Sequence, residues 1–230
     1  MGRVFFDTYP IHRENWNRLP KTSQSRPSFS IETDIANGSS LLIAGVDEVG
    51  RGTLAGPVVA AAAILPGPVP SQYQSIVNDS KLLSASQRER AFEWLIEWCV
   101  SYGVGACTAC EIDSLGIVPA TRQAMARAVS ELSPQPDHLL IDAIELDSLN
   151  IPQTSVIRAD SRSQSTAAAS IIAKVTRDRL MSTVFESEYP GYGFASHKGY
   201  GTAFHMSVLK EKGASPIHRR SFKPVKDVLA

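Results

Sequence analysis

The chain has 230 residues, enough for one large domain or two small ones, and at that length folding buries roughly 70% of the unfolded surface without help from disulfides or structural metals. Its composition, 43% hydrophobic and 20% charged, excludes wholesale disorder, collagen and a bitopic membrane protein; the longest apolar run, Pro57–Leu65, is under half the roughly 20 residues a spanning helix needs. The net charge of zero hides an acidic middle, with eight basic and fourteen acidic residues over 41–173, and a basic tail, with ten basic and four acidic over 174–226.

Residues 1–40 read as an N-terminal extension, partly ordered or flexible, ahead of a domain over 41–230. Pro10, Pro20, Pro27, a Ser/Thr-rich stretch from Thr22 to Ser30 and Asn37-Gly38-Ser39-Ser40 punctuate it. Val4-Phe5-Phe6 and Trp16 are apolar pieces able to dock on that domain. Leu41–Asp47 is a short apolar run ending in two carboxylates and predicts a buried strand. A glycine-rich turn, Gly50 to Gly56, leads to a second strand over Pro57–Leu65, with proline where a missing N–H costs least.

Asn78-Asp79-Ser80-Lys81 predicts a polar loop, and Ser84 with Gln87 forms a capping-box pattern that starts a helix. Phe92, Leu95, Ile96 and Cys99 share one face of it. Alternation from Val100 to Ala106 predicts a third strand, and a helix follows from about Pro119 to Leu132. Leu139–Asp142 and Ser155–Arg158 predict two more strands, with Asp160 just beyond the second. A long helix runs from Gln164 to Glu186, its Ala167-Ala168-Ala169-Ser170 stretch small enough to lie close on a sheet. A last clear helix spans Thr202–Lys212 and ends at Gly213. The expected fold is one α/β domain with a mixed sheet flanked by helices and a helical C-terminal region.

Cys99, Cys107 and Cys110 cannot all pair within the chain, and no secretory pattern is visible, so the reading expects a reduced, cytoplasmic protein. Cys107-x-x-Cys110 lacks the second pair a structural zinc site needs. Likewise, the spacing of His197, His205 and His218 is no ligand spacing; hydrogen-bonded or substrate-side roles are expected.

Chemistry concentrates on four acids at or past predicted strand ends: Asp47, Glu48, Asp142 and Asp160. Strand ends are where α/β sheets bind ligands. Carboxylates gathered there repel unless a divalent cation sits among them, and hard oxygen donors select Mg²⁺ or Mn²⁺. Two such ions, roughly 3.5–4 Å apart, would form the clamp used for phosphodiester displacement. Taken alone, a strand-end acid such as Asp142 could equally be a solvated turn residue. Gly50-Arg51-Gly52-Thr53-Leu54-Ala55-Gly56 is one residue too long for a dinucleotide fingerprint and precedes a strand rather than a helix. It suits close backbone approach to a sugar-phosphate chain.

Gly45-Val46-Asp47-Glu48-Val49-Gly50-Arg51-Gly52, continued by Thr53-Leu54-Ala55-Gly56-Pro57-Val58-Val59-Ala60-Ala61, resembles the opening motif of ribonuclease HII, the type 2 ribonuclease H family. Asn78-Asp79-Ser80-Lys81, Leu140-Ile141-Asp142, Ala167–Asp178, Tyr189–Phe194, His197–Thr202 and His218–Phe222 continue the resemblance in order.

The resemblance implies a ribonuclease H-like fold and hydrolysis of RNA in RNA–DNA hybrids. It further implies incision 5′ of ribonucleotides embedded in duplex DNA, leaving 3′-hydroxyl and 5′-phosphate ends. Asp47 would bridge two Mg²⁺ or Mn²⁺ ions, Glu48 and Asp142 would help hold one, and Asp160 the other. Gly50, Arg51 and Gly52 would read the RNA–DNA junction through the 2′-hydroxyl, and Tyr200 would stack on the next deoxyribose. Lys81, Lys174, Arg177, Lys198 and Arg219 are candidate phosphate contacts.

Against the family pattern, Val49 replaces a usual Ala, Thr53 a Pro, Leu82 a Lys, Ala143 a Gly and Thr166 an Ile; Arg158-Ala159 replaces Lys-Gly. The expected partners are RNA–DNA hybrid and ribonucleotide-containing duplex DNA, with no membrane, for a monomer. The alternative reading is a catalytically silent hybrid-binding module on the same fold. Type 3 enzymes carry a folded N-terminal domain for which forty residues are too few.

Overall fold

The computed structural model describes residues 26–229, so Val4-Phe5-Phe6, Pro10, Trp16 and Pro20 lie outside the described residues. Helix α1 (Ser30–Ala36) leads into strands β1 (Ile43–Val49) and β2 (Val58–Ile64). Then come α2 (Ala85–Trp98), β3 (Ser101–Cys107), α3 (Ala109–Leu115) and α4 (Ile117–Ser130). Strands β4 (His138–Asp142) and β5 (Gln153–Val156) complete the sheet, and α5 (Gln164–Leu180) crosses it. The C-terminal part is helical: α6 (Glu186–Glu188), α7 (Phe194–His197), α8 (Ala203–Lys212) and α9 (Lys223–Leu229).

The five strands run in the order β3-β2-β1-β4-β5. β1 pairs antiparallel with β2, and β2 with β3, while β1–β4 and β4–β5 are parallel. This is the mixed sheet expected from strands that come first as hairpins and then alternate with helices. Central strands are buried on both faces and read as continuous apolar runs; β2 is buried along its whole length. On one face Ala44, Val46, Ala60 and Ala62 pack against Ala120, Ala124 and Met125 of α4. On the other, Ala61 and Ala63 meet α5 and the Ala91 and Leu95 side of α2.

Helix α5 lies directly on the β1 backbone. A Cβ at Gly45 would stand 2.1 Å from the Ser165 carbonyl carbon, so a side chain there would push the helix off the sheet. The small residues of α5 and the glycine of β1 together set how close Ser170 comes to Asp47.

Ser84 caps α2 and Gln87 closes the capping box, as its sequence predicts. Helix α3 has the same signature in Thr108 and Glu111, which the sequence reading passed over. The Glu111 carboxyl is held down to about 2, chiefly by its hydrogen bond from Arg127. The long helix predicted over 164–186 is α5 continued by a π-helical turn, Met181–Phe185. No helix among the described residues is long and apolar enough to cross a membrane.

Part of the predicted extension is integral to the sheet's edge. Ile31 packs with Ile43, Leu140 and Val156, and Glu32 is buried. Its Oε1 accepts from the Ser163 hydroxyl at 2.7 Å and from the Ser165 N–H and hydroxyl at 2.9 and 2.7 Å. A carboxylate at the start of α5 satisfies free N–H groups and complements the helix dipole. The Gln164 amide donates to the Pro27 carbonyl, and Ser28 bonds the backbone of Arg162 and Gln164. Residues 27–36 thus brace the turn that carries Asp160 into α5.

Candidate active site

β1 and β4 run side by side with Val46 opposite Ile141, so Asp47 and Asp142 are presented at the same level of adjacent strands. Alternation places both on the α5 side of the sheet, the side shared by Gly45 and Leu140. Asp47 and Glu48 lie inside β1 rather than beyond it, paired with Ala61 and Ala60. Asp160 sits in a 3₁₀ turn, Ala159–Ser161, just past β5. Asp142 Oδ1 accepts the Ala159 N–H at 3.2 Å, which ties the third acid to the fourth.

The chain turns left-handed to make that link: φ is 56° at both Ala143 and Arg158. Glycine would take this conformation freely, whereas alanine costs about 1–2 kcal/mol. The family's usual glycine at position 143 therefore has a conformational reason, and this chain carries the strain.

The acids act on one another. Burial is the main reason the Asp47 carboxyl is raised well above its ordinary range; Glu48, Asp160 and Asp142 each add to it, and a hydrogen bond from Ser170 opposes it. Burial also raises Glu48, against the Arg51 charge, and raises Asp142, against the Ala159 N–H. The Lys81 ammonium lies 3.1 Å from Asp160 Oδ2. Burial would lower that ammonium, but Asp160, Asp79 and Asp47 outweigh it and hold it charged.

Lys81 thus stands as a cation on the rim of this acidic group. All the donors are hard oxygens, the set that suits Mg²⁺ or Mn²⁺. Among the described residues, no group of three or more His, Cys, Asp or Glu side chains is yet close enough to hold a metal ion. The donor chemistry of the four acids nevertheless fits divalent cations.

Ser170 and Ser80 were not foreseen as site residues. Their hydroxyls meet at 2.9 Å, so a polar chain runs from the Asn78–Lys81 loop to Asp47. Arg88 holds the loop by donating to the Ser80 carbonyl at 2.9 Å.

The glycine turn is built around two buried arginines. Arg177 donates to the carbonyls of Pro57, Lys198 and Ala55 and to the Thr53 hydroxyl. Arg219 donates to Gly56, Arg51 and Gly50 at 3.0, 2.8 and 2.6 Å. Both are completely buried, and burial lowers them, to about 10 and about 9, so they stay charged at neutral pH.

Arg177 and Arg219, expected at phosphates, are therefore internal staples, because their guanidinium groups are buried and spent on six backbone carbonyls and the Thr53 hydroxyl. Gly50 has φ of 89° and lies on Arg177, with no space for a Cβ. Thr53, where the family favours proline, keeps the turn tight by donating to Gly50 at 3.0 Å. The Gly50, Arg51 and Gly56 carbonyls are drawn inward to Arg219, while Arg51 and Gly52 are exposed residues of the turn. Arg51 itself reaches Glu48 at 3.2 Å.

Tyr200 is exposed, with the Lys174 ammonium 5.7 Å from its ring centre. Lys174 is also paired with Asp178 at 2.9 Å. Lys198 is turned onto the Ser182 hydroxyl and the Ala195 carbonyl.

The three histidines are buried and hydrogen-bonded to protein, as the absence of a ligand spacing predicts. Burial, then the neighbouring His205, lowers His218 from 6.5 to about 4. A base depressed on folding contributes stability above its unfolded value and loses it as pH falls toward the folded one. The wild type should therefore lose stability, relative to His218→Gln, between about pH 6.5 and 4. Parallel melting curves for the two proteins across that range check this; superimposable pH dependence would refute it.

With this geometry in view, the family model described as ribonuclease HII matches residues 44–225. Ribonuclease HII of Dehalococcoides mccartyi (strain BAV1) is 48% identical over 203 residues, 88% of this chain and 95% of that protein. Ribonuclease HII of Chloroflexus aurantiacus is 50% identical over 205 residues, covering 88% and 96%. The crystal structure of ribonuclease H2 from Pyrococcus horikoshii superposes with a TM-score of 0.67 at 28% identity, over 81% of this chain and 96% of that one.

Proposed function

The chain belongs to the ribonuclease HII family and cleaves RNA in RNA–DNA hybrids, and from that premise we propose that Asp47, Glu48, Asp142 and Asp160 are its catalytic carboxylates and hold two divalent cations, Mg²⁺ or Mn²⁺. The observation that carries this is the mutual electrostatic effect of the four acids, centred on buried Asp47 and met by a single ammonium, that of Lys81. Such cations, when bound, polarise the phosphodiester and lower the pKa of water.

The protein's own groups do the rest. The Ser170 hydroxyl, bonded to Ser80, favours the charged form of Asp47, and the Ala159 N–H holds Asp142. Lys81, 77% exposed along its side chain, is free to move from Asp160 to a substrate phosphate. The exposed Arg51–Gly52 backbone would meet the sugar-phosphate chain, where its N–H groups could donate to a 2′-hydroxyl. Tyr200 offers its ring to the deoxyribose beyond the ribonucleotide, and Lys174 lies beside it for a phosphate.

Water adds to phosphorus and the bond to O3′ breaks, giving 3′-hydroxyl and 5′-phosphate ends. The substrates of this site include duplex DNA with one embedded ribonucleotide. A duplex of that kind should be cut once, 5′ of the ribonucleotide, with Mg²⁺ or Mn²⁺ present. Full activity in EDTA, or salt-dependent hybrid binding without product, would overturn the assignment.

A further inference from the structure

We propose that His205 and His218 are positioning residues that set the backbone of Tyr200, and through it the fit of the substrate's deoxyribose. The inference rests on the reading of Tyr200 given above. It starts from donors that can only donate. The Ser215 hydroxyl and N–H lie 2.7 and 3.0 Å from His218 Nδ1, and since the N–H can only donate, that nitrogen carries a lone pair. A neutral His218 then has its proton on Nε2, which lies 3.0 Å from His205 Nε2. His205 must accept there and carry its own proton on Nδ1. That N–H is 2.9 Å from the Tyr200 carbonyl oxygen. Each link thus has one polarity, and the chain ends on Tyr200.

A parallel link holds the other side of the same turn. The Gly199 N–H donates to His197 Nδ1 at 3.1 Å, leaving His197 Nε2–H to donate to the Tyr192 carbonyl at 2.8 Å. His197 stacks on His205 with ring centres 4.2 Å apart, and Phe194 meets His205 edge-on at 5.7 Å. The turn needs this support. Lys198 and Gly199 are consecutive left-handed residues with φ of 52° and 84°. Gly199 also accepts from the Leu54 N–H at 2.8 Å, which joins Tyr200 to the glycine turn. Neither histidine touches the exposed face on which Tyr200 lies, since both are buried.

The polarity makes the device specific. Leucine at position 205 fills space but gives Tyr200 no hydrogen, whereas asparagine can place an amide N–H near the position of Nδ1. One buried hydrogen bond is worth about 1.4 kcal/mol, a factor of about ten.

His205→Leu and His205→Asn are compared in the wild type and in Tyr200→Ala, with a single-ribonucleotide duplex and a continuous hybrid as substrates. His205→Leu should raise KM for the single-ribonucleotide duplex about ten-fold with kcat nearly kept, and His205→Asn should restore most of it. In the Tyr200→Ala background His205→Leu should add nothing, because its effect passes through the tyrosine. Amide exchange at Tyr200 and Gly201 should quicken about ten-fold in His205→Leu and not in His205→Asn.

Additive losses, or unchanged exchange in His205→Leu, would overturn the inference. Should His205→Leu fail to fold, the ¹⁵N spectrum of the wild type decides: the inference requires the Nδ1–H tautomer at His205 and Nε2–H at His218, and the reverse sinks it. If Tyr200→Ala leaves both substrates unaffected, the substrate role of Tyr200 falls, while exchange and tautomers still judge the histidines.

Discussion

Asp47→Asn should yield a folded protein that binds hybrid and cuts it roughly a thousand-fold or more slowly, the scale of losing a preorganised charge-stabilising group. Asparagine keeps the shape but cannot supply an anionic oxygen to the centre of the acidic group. The same change should not harm folding. Burial and three neighbouring carboxylates raise Asp47 well above its unfolded value, so the folded protein holds that proton to higher pH.

A carboxyl raised in this way loses stability as pH rises through its folded value, and at neutral pH it is a burden on the metal-free protein. Asparagine removes the burden. In EDTA the variant should melt at the wild-type temperature or above it. Single-turnover cleavage and melting curves read the two effects separately. Near-normal cleavage would remove Asp47 from its assigned role, and a collapsed fold would contradict the electrostatic account.

Arg219→Ala should cost stability and binding together. Its guanidinium satisfies the carbonyls of Gly50, Arg51 and Gly56 in the interior. Truncation leaves the Arg51 and Gly56 oxygens without this donor and Gly50 with the Thr53 hydroxyl alone, a loss of about 3–5 kcal/mol and a fall in Tm of roughly 10 °C for a chain of this size. Arg219→Lys should recover only part, because an ammonium cannot span carbonyls that a planar fork reaches at once. In Arg219→Lys the glycine turn loses its inward hold, so KM for hybrid should rise while kcat changes little. Calorimetry and steady-state kinetics test both halves. An unchanged Tm in Arg219→Ala would show that the turn needs no such staple.

These two residues mark how far the sequence could be read. Asp47 was legible because an apolar strand ending in acids beside a glycine turn is a local pattern, and the β1–β4 register then brings it level with Asp142. Ser84 and Gln87 were legible for the same reason, since a capping box is complete within four residues. Thr108 and Glu111 form another, next to the Cys107-x-x-Cys110 pair.

Arg177 and Arg219 were not legible. A basic residue in a basic stretch carries no mark of whether it faces solvent or a cluster of carbonyls more than a hundred positions earlier. The Lys81–Asp160 pair, the Ser80–Ser170 contact and the grip of Glu32 on Ser163 and Ser165 likewise join segments far apart in the chain.

From residue order alone came the five strands, the helices α2, α4, α5 and α8, the mixed sheet, the four candidate acids and the family, because hydrophobic period, caps and short motifs are properties of neighbours. Folding in three dimensions assigned the directions: which cations point inward to hold a turn, which hydroxyl reaches Asp47, and which histidine nitrogen bears the proton. Those depend on distances between segments that meet only when α5 lies on β1 and the C-terminal helices close over the glycine turn, and no local pattern encodes them.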